Sequence, residues 1–407
     1  MDAEHAFNSK VRDFRVCGVR MLGEAQSGVL IGIAQSCEPL VESIKERRET
    51  GRNARTKEQE ELLCTLEENG YFETHRSHAL NSAYLHVNSA CNLHCAGCYS
   101  YEEDRNKQTE LSCGEICGIL YKLKSAGVCS LAISGGEPFL RKDMYDILRY
   151  AKAEINIPRI QVITNGTLPF QSYLSSLPYI DCLSVSIDGY DENSSFIRDR
   201  GIMPKVISNI ERLKECVPIN LIMTLHKRNI DLFMQYVLFS QKLGVSMNIS
   251  LFTADSEDEA LREYVLDDTD FEKLAHISDG LGGLPIMDSG IEGGLGCKES
   301  CGAGKSLVSI ASNGDIYPCH MLQSKEYRLG NALADNILEA IRSGRLFGLT
   351  VDDIEACGQC EYRYLCGGGC RARSCAYYGG AVDQLDRCCP VYKGYFEKTI
   401  RDIAMSA

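Results

Sequence analysis

The chain has 407 residues, 21 of them cysteine, with a formal net charge of −13, enough for two or three domains and a sizeable core. The acidic balance argues against general affinity for nucleic-acid phosphates and against an anionic membrane surface, and no run of about eighteen apolar residues suggests a membrane span. The opening residues Met1-Asp2-Ala3-Glu4-His5 lack the apolar stretch of an export signal, so the expected compartment is the cytoplasm, where this many thiols points to metal or redox chemistry.

Residues 1–75 carry a pattern of their own. Phe14 to Leu22 and Val29 to Ile33 are expected as two strands across a Gly23 to Gly28 turn. Helices follow over Glu38 to Glu49 and Thr56 to Asn69, with Thr56 as N-cap and Glu68-Asn69-Gly70 as stop. A hairpin followed by helices resembles, by pattern and without an invariant motif, the winged-helix-like recognition element fused to many maturases of ribosomally made peptides. That resemblance implies a precursor peptide whose leader adds a strand to an exposed sheet edge. A structural cap is the competing reading; acidic residues around Glu58 to Glu61 argue against DNA.

Over residues 76–290, short apolar runs alternate with stretches of helical period, the pattern of repeated βα units. Strands are expected at Tyr84 to Val87, Ser130 to Ser134, Ile160 to Thr164, Cys182 to Ile187, Ile219 to Thr224 and Met247 to Leu251. Six such units make an α/β fold, a partial (β/α)6 TIM-like barrel, whose chemistry belongs at the C-terminal ends of the strands. Directly after the first strand comes C-x3-C-x2-C, formed by Cys91, Cys95 and Cys98. Three thiolates on one short loop bind three corners of a four-iron cluster and leave one iron open. A zinc knuckle is the alternative, but zinc wants four ligands and only His94 is near.

This loop resembles the signature of the radical S-adenosylmethionine (SAM) enzymes, in which the amino and carboxylate groups of SAM chelate the open iron. By that resemblance, Gly135-Gly136-Glu137-Pro138 holds the methionine amine, and Ser186 and Arg198 contact SAM. The tips Thr164-Asn165 and Asp188 would supply ribose or carboxylate contacts. An arginine suits a carboxylate bidentately; a surface ion pair with Asp199 or Glu192 is the plainer role for Arg198. The family commonly has an aromatic residue before the third cysteine, near adenine. Here that position is Gly97.

A glycine-rich stretch, Asp279 to Leu284 and Glu292 to Gly296, reads as a junction between domains. Residues 291–407 then repeat the concentration of cysteine. The order Cys301-x12-Gly314-x4-Cys319, a gap, Cys357-x2-Cys360-x5-Cys366-x3-Cys370, a gap and a last cysteine resembles the SPASM extension of radical SAM enzymes. Asn313-Gly314-Asp315 marks a hairpin between Val308 to Ile310 and Ile316 to Tyr317. The resemblance implies two auxiliary four-iron clusters, three clusters in all. One would use Cys297, Cys301, Cys319 and Cys370. The other would use Cys357, Cys360, Cys366 and one of Cys388 and Cys389, with Cys389 preferred because Asp386-x2-Cys389-Pro390 resembles the common ending. Zinc ribbons are the competing reading of the C-x2-C pair. His320, after Cys319, is either a functional or a satisfied structural histidine, and Cys375 is reserved as an alternative ligand.

These features together imply a peptide maturase that cleaves SAM reductively, abstracts hydrogen from a precursor peptide with the 5′-deoxyadenosyl radical and forms a thioether or carbon–carbon cross-link. A small redox protein would supply electrons. The alternatives are an anaerobic sulfatase maturase, which in that group carries an aspartate where this chain has His320, and a non-catalytic iron–sulfur scaffold.

Overall fold

The computed structural model describes residues 6–46, 55–72, 80–100, 105–106, 110–254, 258–281 and 295–406. The glycine-rich junction falls largely on residues 282–294 and the end of the first expected helix on residues 47–49, outside the described residues.

The N-terminal unit is a three-stranded antiparallel sheet of β1 (Val11–Val16), β2 (Val19–Glu24) and β3 (Leu30–Ile33). The single strand expected over Phe14 to Leu22 is two strands. Cys17 and Gly18 both adopt positive φ, 50° and 81°, which is the left-handed two-residue turn that reverses a twisted strand. Helices Glu38–Lys45 and Lys57–Glu68 cover one face, burying Leu40, Val41, Ile44, Leu63 and Leu66 against Leu22 and Ile33. Thr56 caps the second helix in a reciprocal box with Gln59.

The sheet's β1 side is tied to the C-terminal segment. Lys10 and Arg12 pair with Glu299, Phe14 meets the Tyr364 ring edge-on at 5.2 Å, and the Cys17 amide donates to Glu361 at 2.7 Å. Among the described residues, strand β3 is paired on one side only, by β2.

The barrel strands are β4 (Ser82–His86), β5 (Ser130–Ser134), β6 (Arg159–Thr164), β7 (Cys182–Ile187), β8 (Ile219–Leu225) and β9 (Ser246–Leu251), all parallel and in sequence order. Each alternates. Leu131, Ile133, Val162, Leu183, Val185 and Leu221 pack outward against helices Cys113–Ser125, Met144–Arg149 and Met203–Leu213. The intervening residues face the bore and are mostly polar, as with Ser130, Gln161, Ser186 and Asn248. The apolar layers that usually fill a barrel are therefore missing here.

Residues 307–331 extend the same sheet. Strand β10 (Leu307–Ile310) runs parallel beside β4, and β11 (Asp315–Tyr317) and β12 (Gly330–Asn331) follow antiparallel. The hairpin expected at Gly314 is present, with φ 87°. Its attachment to the first barrel strand carries Cys319 under the barrel. Helix Cys389–Ser406 packs on helix Asp268–Leu281. No helix among the described residues is long and apolar enough to cross a membrane.

Candidate functional site

The loop after β4 brings Cys91, Cys95 and Cys98 to one cavity at the C-terminal end of the barrel, of about 190 Å³. Two arginines flank these thiols. Arg105, buried, donates to Cys98 Sγ at 3.2 Å and to the Ser100 carbonyl at 3.2 Å. Arg198 Nη1 lies 3.7 Å from Cys95 Sγ. Burial pushes the Cys91 and Cys95 thiols up, with Arg105 and Arg198 respectively opposing it. At Cys98 burial works in the same direction, but the Ser100 and Arg105 hydrogen bonds overcome it and hold that thiol below its ordinary value. Iron binds thiolates, so a cationic surround favours the ligating form.

Gly135 and Gly136 line the same cavity because the tip of β5 lies directly on the cysteine loop. The Gly136 amide donates to the Asn88 carbonyl at 3.0 Å, and the Glu137 amide to Ala90 at 2.7 Å. A β-carbon at Gly136 would sit 2.2 Å from the Ala90 carbonyl oxygen. Gly136→Ala is accordingly expected to push the tip and loop apart, an overpacking cost of about 1–3 kcal/mol, and to weaken SAM binding about tenfold, read by equilibrium dialysis on iron-loaded protein.

Three residues expected to touch SAM, Glu137, Pro138 and Asp188, do not reach the cavity. Glu137 is fully buried and accepts from Thr164 Oγ1 at 2.9 Å and from the Asn165 and Phe139 amides at 2.8 and 3.2 Å. It braces β5 against β6, and burial raises its carboxyl to about 7; Pro138 starts the buried turn behind it. Asp188, also fully buried, accepts from Ser195 Oγ and from the Phe196 and Ile197 amides. It shapes the loop that delivers Arg198, whose Nε stands 3.6 Å from Asp188 Oδ1. The plainer role for Arg198 fails, because Asp199 pairs with His94 and Glu192 accepts the Gly201 and Met203 amides. Thr164, Asn165, Ser186 and Arg198 do line the cavity.

The aromatic residue missing at Gly97 comes from elsewhere. Gly97 has φ +64°, and a β-carbon there would lie 2.3 Å from the ring of Phe252, which follows β9 and is buried in the cavity wall. Sequence reasoning missed both Phe252 and Arg105. The glycine was the signal for the first, but nothing local says which strand tip fills the space. Arg105 sits in a charged run with no pattern to mark it.

Below the cavity, His320 stacks on Tyr84, centroids 4.0 Å apart, and meets Tyr99 edge-on at 5.4 Å. Burial drives the His320 pKa down to about 3 and that of His86 to about 4. His226, beside Phe252, is likewise lowered to about 4 by burial. Each stays neutral in the folded chain, whereas the unfolded chain takes up a proton below about pH 6.5. The unfolded state thus binds more protons between about pH 6.5 and 4, and stability falls as pH drops through that window, by up to about 1.4 kcal/mol per pH unit for each group. His226→Gln is expected to flatten the pH dependence of the urea midpoint; an unchanged slope would refute the assignment.

Of the auxiliary cysteines, Cys357, Cys360, Cys366 and Cys389 surround one small cavity. Cys388 is fully buried and faces away from it, toward Arg373 and Tyr392. Cys301, Cys319 and Cys370 line a second, larger cavity. Cys297, expected to complete that set, is not brought to it. Its amide donates to the Gly28 carbonyl at 3.0 Å and its side chain is packed tightly against Gly23 of the N-terminal sheet, which leaves it 1% exposed. Cys375 lies near Tyr327, Sγ to Oη 3.4 Å. Asp386 joins the two sets: it accepts from the Cys370 and Cys388 amides at 2.7 and 3.0 Å and from Arg373 at 2.7 Å.

A parallel half-barrel with three cysteines, two arginines and polar strand tips around one cavity has the architecture of a SAM-dependent radical enzyme. Residues 85–239 match the family model of the radical SAM superfamily, and residues 301–361 that of the iron–sulfur cluster-binding SPASM domain. The chain is a radical SAM enzyme with a SPASM domain, and SAM and several iron–sulfur clusters are its cofactors. It is similar to mycofactocin maturase MftC of Mycobacterium tuberculosis, 26% identical over 303 residues, 70% of this chain and 76% of that one. It is also similar to the cysteine-type anaerobic sulfatase-maturating enzyme of Clostridium perfringens, 25% identical over 349 residues, 76% of this chain and 94% of that one. The fold resembles Streptococcus suis SuiB bound to S-adenosylmethionine, with TM-score 0.59 at 17% identity over 94% of this chain and 99% of that one. The likeness extends to SuiB bound to precursor peptide SuiA, with TM-score 0.55 at 17% identity over 93% and 100% of the two chains.

The residues present fit the radical SAM group. The three thiols line one cavity, and Arg198, held from behind by Asp188, lines it too with Nη1 3.7 Å from Cys95 Sγ, a cation placed to suit a carboxylate. The second auxiliary set also fits, with four cysteines around one cavity. The first set supplies three.

Proposed function

We propose that the chain matures a ribosomally made precursor peptide, with residues 1–75 recognising the leader, 76–290 forming the catalytic barrel and 291–407 the auxiliary domain. The observation that carries this reading is the N-terminal sheet. Its β1 side is anchored to the auxiliary segment through Glu299, Glu361 and Tyr364, and among the described residues the β3 edge is paired on one side only. A row of unpaired backbone groups is a template for an added peptide strand, and a fixed anchor would hold the rest of that peptide at a constant distance from the barrel. The relatives named as maturases, and the SuiB structure with a precursor peptide, agree with it.

Cys91, Cys95 and Cys98 would hold the four-iron cluster, which with SAM supplies a 5′-deoxyadenosyl radical able to abstract hydrogen from the peptide. Arg105 lowers the Cys98 thiol and Arg198 opposes the rise at Cys95, which favours the ligating thiolates, and Arg198 with the Gly135-Gly136 backbone would orient the methionine end. Phe252 would cover the adenine, and Ser186 and Asn165 the ribose. The second auxiliary cluster would rest on Cys357, Cys360, Cys366 and Cys389, with a small cytoplasmic redox protein as electron donor. Formation of a thioether or carbon–carbon cross-link removes two hydrogens. The test is co-expression with each short reading frame neighbouring the chain's gene, followed by mass spectrometry; unchanged masses for all of them reject the reading. The sulfatase-maturing relative supports a second reading, oxidation of a protein side chain, against which stands a neutral, stacked His320 where that group has an aspartate base.

A further inference from the structure

Each of the three cysteine sulfurs in the SAM-site cavity faces one side-chain N–H. Asn165 Nδ2 lies 3.9 Å from Cys91 Sγ, Arg198 Nη1 3.7 Å from Cys95 Sγ and Arg105 Nη2 3.2 Å from Cys98 Sγ. The three donors are not equivalent. Asn165 is neutral, and its carboxamide is also committed to Asn92 and to the Thr167 amide. Arg198 shares its charge with the buried Asp188, 3.6 Å from its Nε, and is the cation placed for a carboxylate. Arg105 stands nearest to a sulfur, and it also donates to uncharged acceptors: the Leu93 carbonyl at 3.3 Å, the Ser100 carbonyl at 3.2 Å and Ser100 Oγ at 3.4 Å.

The chain fixes Arg105 in this place. Asn106, the next residue, has φ 70° and accepts the Cys91 amide at 2.9 Å through Oδ1; asparagine tolerates that left-handed backbone better than most side chains. The pair Arg105-Asn106 thus grips the C-x3-C-x2-C loop at its first and last cysteines. Burial works against the guanidinium's charge, but Cys98, Cys91 and Cys95 hold it above its ordinary pKa, so one cation acts on all three sulfurs.

A guanidinium that is only 7% exposed is costly to bury unless an anion faces it. An iron–sulfur cluster on thiolates becomes one unit more negative when it takes up an electron, and its potential follows net charge and the hydrogen bonds to its sulfurs. A cation in contact with a ligand sulfur, away from bulk water, therefore favours the reduced form.

We propose that Arg105 sets the reduction potential of the cluster held by Cys91, Cys95 and Cys98, raising it and so easing entry of the electron that SAM cleavage consumes. Arg105 acts through Cys98 and is a positioning residue. The two arginines divide the work, Arg198 serving the carboxylate of SAM and Arg105 the sulfur. No peptide is involved, so the assignment is independent of what the enzyme modifies.

The test uses the iron-loaded full chain at pH 8 without precursor, as wild type, Arg105→Gln and Arg105→Lys. Samples are poised with titanium(III) citrate, each titanium ion giving one electron to a cluster and becoming titanium(IV). The low-temperature paramagnetic signal is then recorded, and the relevant cluster is identified as the part that changes when SAM is added just before freezing. Glutamine keeps an N–H donor without the charge. For Arg105→Gln the ratio of reduced to oxidised cluster at a fixed potential is expected to fall at least tenfold, a shift of about 59 mV or more to lower potential for a one-electron couple. Arg105→Lys keeps the charge and is expected to fall less than about threefold. A smaller fall in the glutamine variant, or a larger one in the lysine variant, overturns the proposal. Loss of the loop's iron from either variant at this pH also overturns it and makes Arg105 a brace for the loop alone.

Discussion

Cys98→Ala is expected to abolish reductive cleavage of SAM and all peptide modification while leaving the fold and the auxiliary iron in place. Cys98 is the thiol that Ser100 and Arg105 hold below its ordinary value despite burial, so its loss removes a ligand and leaves Arg105 facing an uncompensated cavity. With two cysteines remaining, the loop cannot hold a cuboidal cluster. If three four-iron clusters are present, iron should fall from about twelve to about eight atoms per chain, and the low-temperature paramagnetic signal that responds to SAM should vanish. Cys388→Ala is the contrast: Cys388 lies outside the cavity formed by Cys357, Cys360, Cys366 and Cys389, and iron content should be unchanged. Arg105→Leu should give an intermediate result, with iron bound more weakly at low pH because the thiolate has lost its cation. A Cys98→Ala protein that still produced 5′-deoxyadenosine would refute the site.

The second large effect is structural. Asp386→Ala should destabilise the C-terminal domain by about 3–5 kcal/mol, the usual cost of stranding one partner of a buried ion pair. Arg373 is fully buried and Asp386 nearly so, and the carboxylate also takes the Cys370 and Cys388 amides and the Tyr392 hydroxyl. Both auxiliary sets depend on the turn it holds, so the same substitution should release auxiliary iron at a denaturant concentration where the wild type keeps it. Burial alone would raise this carboxyl, but the Arg373 guanidinium prevails and holds it below the ordinary value. A group lowered in this way stabilises the fold above its unfolded pKa, near 4, and that stability is lost as pH falls through the folded value. Asp386→Asn, which keeps the shape and one acceptor, should lose less in urea unfolding than Asp386→Ala. Equal losses would show that the charge carries the whole effect, and an Asp386→Asn protein as stable as the wild type would show that the charge contributes nothing.

Much of the catalytic half was legible in the sequence because its signals are local. The strand spans at Ser130–Ser134 and Cys182–Ile187 follow from β-branched runs of period two, and the C-x3-C-x2-C spacing is itself a ligand geometry. The first N-terminal strand, expected as one, is two, because Cys17-Gly18 carries no familiar turn pair and only its positive φ angles reveal the reversal. Glu137 is expected as a cofactor contact from the Gly-Gly-Glu-Pro resemblance and Asp188 from its place at a polar strand tip. Here both turn inward to accept backbone amides that burial would otherwise leave unpaired.

By itself, then, the sequence determined the class of chemistry, the order of βα units and the C-x3-C-x2-C ligand loop, each of which depends on residues a few positions apart. Tertiary structure decided what meets across long separations: Phe252 against Gly97, Arg105 on Cys98, β10 beside β4, and Cys297 under Gly23 instead of with Cys301, Cys319 and Cys370. The physical reason is that local hydrogen-bond geometry and side-chain period are written in neighbouring residues. Which side chain fills a given space depends on close packing, and close packing exists only once the strands are assembled.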